Sequence, residues 1–405
     1  MRLRPGLVAD YRSDVAIFRS NVQRFWFAVL LVAVVLLGLG GTLPLIPGLV
    51  DFSLTGDLLL IAVSAVFASI GAIGLNIVTG FAGQVSLGHA FFLGLGAFTG
   101  AVLGGSEVTR QVVDLSTGQF VEKTLVVGYQ LDLSIWLPAA GLVAALAGLI
   151  VAPVAFRLRG LYLAFVTLGL VFIGDHLFRE ASILTGGVGV GRPTGVPSLF
   201  GFRFDQDGEF FGIFLEKEQK LFFLGLVLLI VLGFVAKNLA RSRVGRALAA
   251  IRDRDIAAEM MGIPLARYKM IAFVVSSFYA GVAGALLYSA IGHLEPGTFN
   301  LLLSIEFIAM VLIGGVSTVS GSIMGAVFIT FLPKMVKWLA GITVFGLDPF
   351  FFISDSPAGG FVNLPQMELI LFGGLIVVFL ILEPLGLYGI WIRIRNYWKA
   401  WPFSY

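Results

Sequence analysis

The 405-residue chain contains no cysteine, which removes any disulfide framework and any thiolate metal site. Its three histidines, His89, His176 and His293, are scattered without the spacing of metal ligands. Charged residues make up only 13% of the chain, and glycine is nowhere followed by lysine, so no Gly-x-x-x-x-Gly-Lys-Ser/Thr loop exists. The polypeptide therefore carries no site of the usual kind for nucleotide phosphates. Also missing is a cluster of carboxylates inside apolar runs, the common mark of a proton- or sodium-coupled carrier. No carboxylate pair or histidine constellation suggests catalysis. These absences predict a protein with no catalytic residues, no metal and no cofactor of its own.

Apolar residues are abundant instead. They form 58% of the chain, with 51 glycines and a mean hydropathy of +0.98, a balance that a water-soluble core of this length does not need. The fold class expected is all-α, a polytopic membrane protein in a lipid bilayer. Apolar runs predict about ten spans, near 25–43, 58–79, 84–104, 135–156, 161–178, 221–236, 270–291, 300–316, 319–340 and 367–390. The first follows an arginine-rich segment, as a signal peptide would, but no small-x-small cleavage site comes after it, only Pro44 to Gly48, so it reads as a retained span. Several runs are short or broken by glycine, which leaves room for one or two re-entrant segments.

Loop charge sets an orientation. Segments 1–24, 156–160, 237–269 and 391–405 hold 18 of the 27 Lys/Arg and 5 of the 24 acids, which predicts an N-in, C-in topology. The net charge of +3 is thus explained by loop placement and not by nucleic acid. On this scheme 1–24 is a cytoplasmic N-terminal segment, 25–390 a membrane domain with a cytoplasmic loop at 237–269, and 391–405 a cytoplasmic tail. The insertions 105–134 and 341–366 fall outside, with no role assigned.

The loop at 237–269 has internal punctuation. Ser242 can cap a helix whose Val244, Leu248 and Ile251 share one face. Asp253 and Asp255 interrupt it, and Asp255 at an N-cap position starts a second, short helix with Ile256, Met260 and Ile263 on one side. Gly262 followed by Pro264 stops that stub after roughly two turns. Met270 to Ile291 follows and is long enough to cross a hydrocarbon core, so a push on the stub is a push on a membrane helix.

A second region of interest is LNIVTGFAGQVSLGHAFFLGLGAFTGA, Leu75 to Ala101, where Gly80, Gly83 and Gly88 stand among Asn76, Gln84, Ser86 and His89. It predicts a break between two apolar helices, and irregular backbone at membrane depth is tolerated where it lines a cavity or is buried in protein. The polar set reads either as path lining or as interhelical hydrogen bonding. Glycines and small residues four apart, Gly96, Gly100 and Gly104, and Ser276, Ala280 and Gly284, predict close helix packing. Glu306 lies inside the run SIEFIAMVLIGG, where a carboxylate should be paired, protonated or functional. Gly83 to Phe98 and Gly315 to Ile329 share a Gly-polar-Gly start and an apolar continuation, an echo consistent with a duplicated half.

The string SRVGRALAAIRDRDIAAEMMGIPLARYKMIAFVVSSFYAGVAGAL resembles the cytoplasmic loop and following helix of bacterial branched-chain amino acid ABC transporter permeases of the LivM type. Leu75 to Ala101 is similar to that family's second-to-third helix segment, and LYLAFVTLGLVFIGDHLF with TGGVGVGRPTGVP to its fifth helix and outer loop. The resemblance implies a role for Asp255, Ile256, Glu259, Met260 and Gly262 in docking onto an ATP-hydrolysing subunit. It strengthens a path-lining reading of Asn76, Gln84, Ser86 and His89 and adds Thr167, while Glu306 is a further candidate for the translocation path from its carboxylate at membrane depth. It further implies a second permease subunit, two ATPase subunits that bind the ATP, an extracytoplasmic solute-binding protein, and a bacterial inner membrane location. The chain departs from the family pattern at Val188, Val190, Ser317 and Leu385, which keeps the cargo open between branched-chain amino acids and urea or short amides. An ion-coupled secondary carrier is the alternative of a different class.

Overall fold

The computed structural model describes residues 21–39, 56–113, 120–158, 160–210, 213–340, 353–354, 362–383 and 385–400. Most of the N-terminal segment 1–24, most of the insertion 341–366 and the last residues of the tail 391–405 lie outside the described residues.

The chain is built of helices in the expected order. They are α1 (Asn21–Gly38), α2 (Gly56–Asn76), α3 (His89–Gly104), α4 (Leu133–Arg157), α5 (Leu161–Glu180), α6 (Ser182–Thr185) and α7 (Lys217–Arg241). After them come α8 (Arg243–Asp253), α9 (Asp255–Met260), α10 (Leu265–Ile291), α11 (Leu301–Gly314), α12 (Val319–Ala340), α13 (Leu364–Leu382) and α14 (Gly386–Ala400). Seven of the described helices are long and apolar enough to cross a membrane, which makes this a membrane protein. Three of the ten expected spans, those at 84–104, 300–316 and 367–390, correspond to shorter apolar helices, His89–Gly104, Leu301–Gly314 and Leu369–Phe379. The first is short because Ala82 to Gly88 is not helical, which corrects the start expected at 84. The fold is also not purely α. Strands β1 (Val108–Val113) and β2 (Phe120–Val126) pair antiparallel in the insertion 105–134, and four smaller strand pairs occur among the described residues.

Helix α10 is the centre, packed against α4, α3 and α2, while α12 packs on α2 and α11. Small residues make these approaches possible. A Cβ on Gly96 would strike the Gly281 backbone, and one on Gly284 the carbonyl of Leu93, so α3 and α10 touch main chain to main chain. Dispersion at such short range, not apolar burial, drives helix association in lipid.

The two ends of the bundle differ. At one end, residues 101–105, 127–131, 181–198 and 292–294 are joined by backbone hydrogen bonds around Arg192, which is 1% exposed. Its guanidinium donates to the carbonyls of Leu184 (2.5 Å), Ala101 (2.6 Å) and Val127 (2.9 Å), and Arg192–Pro193 pairs with His293–Leu294. Burial lowers its pKa to about 10, so the group stays charged at neutral pH and the three carbonyls are its solvation. The opposite end holds α8, α9, residues 82–88, Gly315 to Thr318 and the start of α14. Here the carbonyl of Leu385 closes on Gly315, and Arg393 of α14 pairs with Glu383.

Candidate functional site at the helix break and the α8–α9 loop

After Asn76 the α2 backbone widens into a π turn, Ile77–Phe81, closed by Ala82 N–H donating to the Ile77 carbonyl at 3.3 Å. Such bulges free backbone groups from the regular ladder. The chain then runs without helix to Gly88, turning at Gly83, whose φ of +67° suits glycine. Two side chains from other helices steady this stretch. Thr167 Oγ1 of α5 accepts from Leu87 N–H at 2.9 Å, and Ser304 Oγ of α11 accepts from Ala90 N–H at 3.0 Å, in the first turn of α3.

Asn76 pins the break to the α11–α12 turn. Its Nδ2 donates to the Thr318 carbonyl (2.9 Å) and to Ser322 Oγ (2.8 Å), and its Oδ1 accepts from Ser317 N–H (2.9 Å). The amide folds back over Gly80, where any side chain would collide with Asn76 Oδ1. Ser317 sits in the left-handed region at φ +66°, a conformation that costs a non-glycine residue on the order of 1 kcal/mol. Its hydroxyl donates to the Gly80 carbonyl at 2.7 Å and accepts from Arg252 Nη1 of α8 at 2.5 Å. The stretch just before the first echoed segment, Asn76 to Gly80, therefore meets the start of the second, Ser317 and Thr318, in space.

The six predicted path residues separate into four kinds. Asn76 and Thr167 are buried and occupied by the hydrogen bonds just given. Gln84 and His89 are buried with Gln84 Oε1, Gln84 Nε2 and His89 Nε2 unpartnered, as is Oγ1 of nearby Thr79. Ser86 is buried, its Oγ 3.4 Å from Gly88 N–H. Glu306 is half-buried and stands apart from the break, on the side of α11 within electrostatic reach of the Tyr288 hydroxyl. A cavity of 290 Å³ opens between the break and the loop, lined by Gly83, Gln84, Leu163, Arg252, Asp255 and Lys269 among others. A larger one of 510 Å³ lies between α13 and α14, away from all six.

The loop follows its sequence punctuation closely. Ser242 Oγ accepts from Val244 and Gly245 N–H (3.1 and 3.3 Å), and Leu248 and Ile251 bury the inner face of α8. One correction concerns Asp255. Arg254 takes the extended N-cap conformation, and Asp255 is the first residue of α9, its Oδ1 accepting from Ile256 N–H at 2.9 Å. The stub ends in a Schellman turn: Gly262 at φ +82°, Gly262 N–H to Glu259 carbonyl (2.9 Å), Ile263 N–H to Ala258 carbonyl (3.0 Å). Within α9 only Ala258 is buried. Ile256 (64% exposed) and Met260 (85%) project outward, with Met261 beside them. Glu259 is exposed and Asp255 half-buried.

Sequence reading missed Arg252, Ser304 and Ser322. Arg252 is one of several loop arginines, and nothing local marks which of them turns inward. The two serines lie in apolar runs, where a hydroxyl is a weak sign of a partner.

Comparison with known proteins adds the family. Residues 57–380 match the family described as Branched-chain amino acid transport system / permease component. The chain is 30% identical over 334 residues to two proteins named High-affinity branched-chain amino acid transport system permease protein LivM, from Salmonella typhimurium and Escherichia coli K12. Each alignment covers 78% of this chain and 66% of the relative, so the chain spans just under two thirds of the length of either. A shorter match, 30% identical over 144 residues, links 35% of the chain to 39% of the Fructose import permease protein FrcC of Rhizobium meliloti. No solved structure matches at a significant level.

Proposed function

This chain belongs to the branched-chain amino acid transport permease family, and from that premise we propose that it is the transmembrane subunit of an ABC importer for branched-chain amino acids. In this reading it lies in a bacterial inner membrane, N-in and C-in, with 237–269 facing the cytoplasm. It works with a second permease, two ATPase subunits and an extracytoplasmic solute-binding protein. The observation that carries the reading is the stub α9. A short helix is fixed at its exit by a Schellman turn and presents Ile256, Met260 and Met261 to solvent. Exposed apolar side chains on a rigid element next to charged loop residues suit a partner's groove. Its displacement reaches α10 through the four-residue link Met261 to Pro264.

The path proposed runs past the break. A zwitterion with an aliphatic side chain needs a few polar groups and an otherwise apolar wall that lets it leave again. Gln84 and His89 offer hydrogen-bonding atoms not used within the protein, beside Phe91 and Phe92. Asn76 and Thr167 shape the break, Ser86 lies in it, and Glu306, apart from it on α11, is a candidate for the path elsewhere.

Reconstituted vesicles carrying the assembled transporter test the reading. Leucine, isoleucine and valine uptake is expected to follow ATP and to ignore an imposed proton or sodium gradient. Uptake that follows the ion gradient overturns the ABC assignment; ATP-driven uptake of urea without leucine overturns the cargo while leaving the permease.

Gln84→Leu separates path from packing. Removing an unpartnered buried amide is expected to raise stability by about 1 kcal/mol. The same change is expected to lower maximal leucine uptake about tenfold, the worth of one hydrogen bond to the passing substrate. Apparent affinity, set by the binding protein, changes little. Thermal unfolding in detergent and initial uptake rates read the two effects; unchanged uptake removes Gln84 from the path.

A further inference from the structure

Arg252 belongs to α8, three residues before Asp255 of the stub, yet its side chain ends at the break. Its stem covers Gly83, where a Cβ would stand 2.7 Å from Arg252 Cγ. Nη1 donates to Ser317 Oγ at 2.5 Å and to the Gly80 carbonyl at 3.3 Å. The same carbonyl accepts from Ser317 Oγ, so one backbone acceptor of the π turn is held from two sides. The guanidinium also keeps Asp253 Oδ1 at 3.1 Å and stays 37% exposed, so its charge never leaves water and its grip can be released. Ser317 holds its place only by accepting a left-handed backbone. Three elements distant in sequence thus converge on Gly80: the break, the α11–α12 turn, and the helix that carries the stub.

We infer that Arg252 and Ser317 are positioning residues that form a release latch, holding the π turn closed while α8 and α9 are at rest and freeing the Gly80 carbonyl when those helices move. The two short helices are rigidly joined, since Arg254 N–H still bonds to the Ala250 carbonyl of α8 (3.1 Å) and its own carbonyl accepts from Ala258 N–H of α9 (3.0 Å). A displacement of the stub therefore withdraws the guanidinium directly. The source of that displacement rests on the docking role proposed above; the effect of the latch on the break does not.

The chain's lack of cysteine makes the test clean. Ser86→Cys places a single thiol in the break, at a position 5% exposed. Its rate of modification by a membrane-impermeant maleimide, in inside-out vesicles holding the full chain, reports opening of the break. Adding Ser317→Gly, which removes the hydroxyl and the backbone strain together, is expected to raise that rate about tenfold with no fall in the unfolding temperature. Arg252→Gln gives the same acceleration, and Arg252→Lys, unable to reach both oxygens with planar geometry, gives only part of it. In the assembled transporter the same variants raise ATP hydrolysed per leucine carried severalfold. Equal labelling rates with and without Ser317→Gly overturn the latch, and Ser317→Gly decides the matter even where an Arg252 variant folds poorly. Failure of the ATPase to co-purify with the unsubstituted chain counts against the docking reading alone, since the labelling difference is measured without it.

Discussion

Met260→Asp is expected to abolish ATP-driven uptake and detach the ATPase subunit while the membrane fold survives. Met260 is almost fully exposed on α9, and the helix is held by backbone bonds at its Schellman end, so the carboxylate costs the isolated chain almost nothing. Placed in an apolar groove, the same carboxylate has no partner, and burying it costs on the order of 3 kcal/mol, a loss of about two decades in affinity. The measurement is paired. Co-purification of the ATPase reports docking, and the unfolding midpoint of the permease reports the fold. Ile256→Asp, on the same side of the stub, is expected to act alike. Wild-type co-purification and uptake in Met260→Asp would exclude this face as the docking surface.

Asn76→Leu is expected to fail for the opposite reason, by destroying the fold of the break with the docking face intact. The two side chains are of similar size, so packing is nearly conserved while three hydrogen bonds are lost. Ser317 N–H loses its acceptor at a part-buried position, and Thr318 carbonyl and Ser322 Oγ lose a donor. Ser317 N–H alone is left unsatisfied, at about 1 to 3 kcal/mol, because the Thr318 carbonyl and Ser322 Oγ keep each other as partners; with about 1 kcal/mol for each of the other two hydrogen bonds the total is about 3 to 5 kcal/mol, a large part of the stability of a typical domain. Uptake is lost, the unfolding midpoint drops, and ATPase co-purification persists as far as folded protein remains. The contrast with Gln84→Leu, eight residues on, is diagnostic: one buried amide is fully used by the protein and the other is not. A destabilised Gln84→Leu together with an unaffected Asn76→Leu would reverse the roles given to the two.

Much of this was legible in the sequence. Ser242 as a cap, the buried Leu248 and Ile251, and the stop at Gly262 each follow from backbone chemistry within a few residues, and each stands in the structure. The same holds for the glycine seam of α3 and α10, because spacing by four puts small residues on one helix face. What was not legible depends on distance along the chain. Arg252 meets Gly80 across 172 residues and Ser317 meets it across 237, and no local pattern selects one arginine among several. The glycines of Leu75 to Ala101 announced the break, but hydropathy still placed the next span's start at 84, since an apolar average does not distinguish helix from the irregular chain of Ala82 to Gly88. The polar set around the break was read as one group, and it separated only when hydrogen-bond partners were known. At Asp255 the shift was of a single residue, because a capping carboxylate in the first turn serves nearly as well as one at the N-cap.

The buried Arg192 has a bearing on biogenesis. Three of its four carbonyl partners, on Ala101, Val127 and Leu184, precede it in the chain, the fourth being the adjacent Pro193. In chain order they are made before this donor, and a single residue then joins all three. The pairing of Arg192–Pro193 with His293–Leu294 then waits for α10 to insert. Closure of that end therefore follows formation of the central helix, so the buried Arg192 reaches its final setting only after about a hundred further residues have been made.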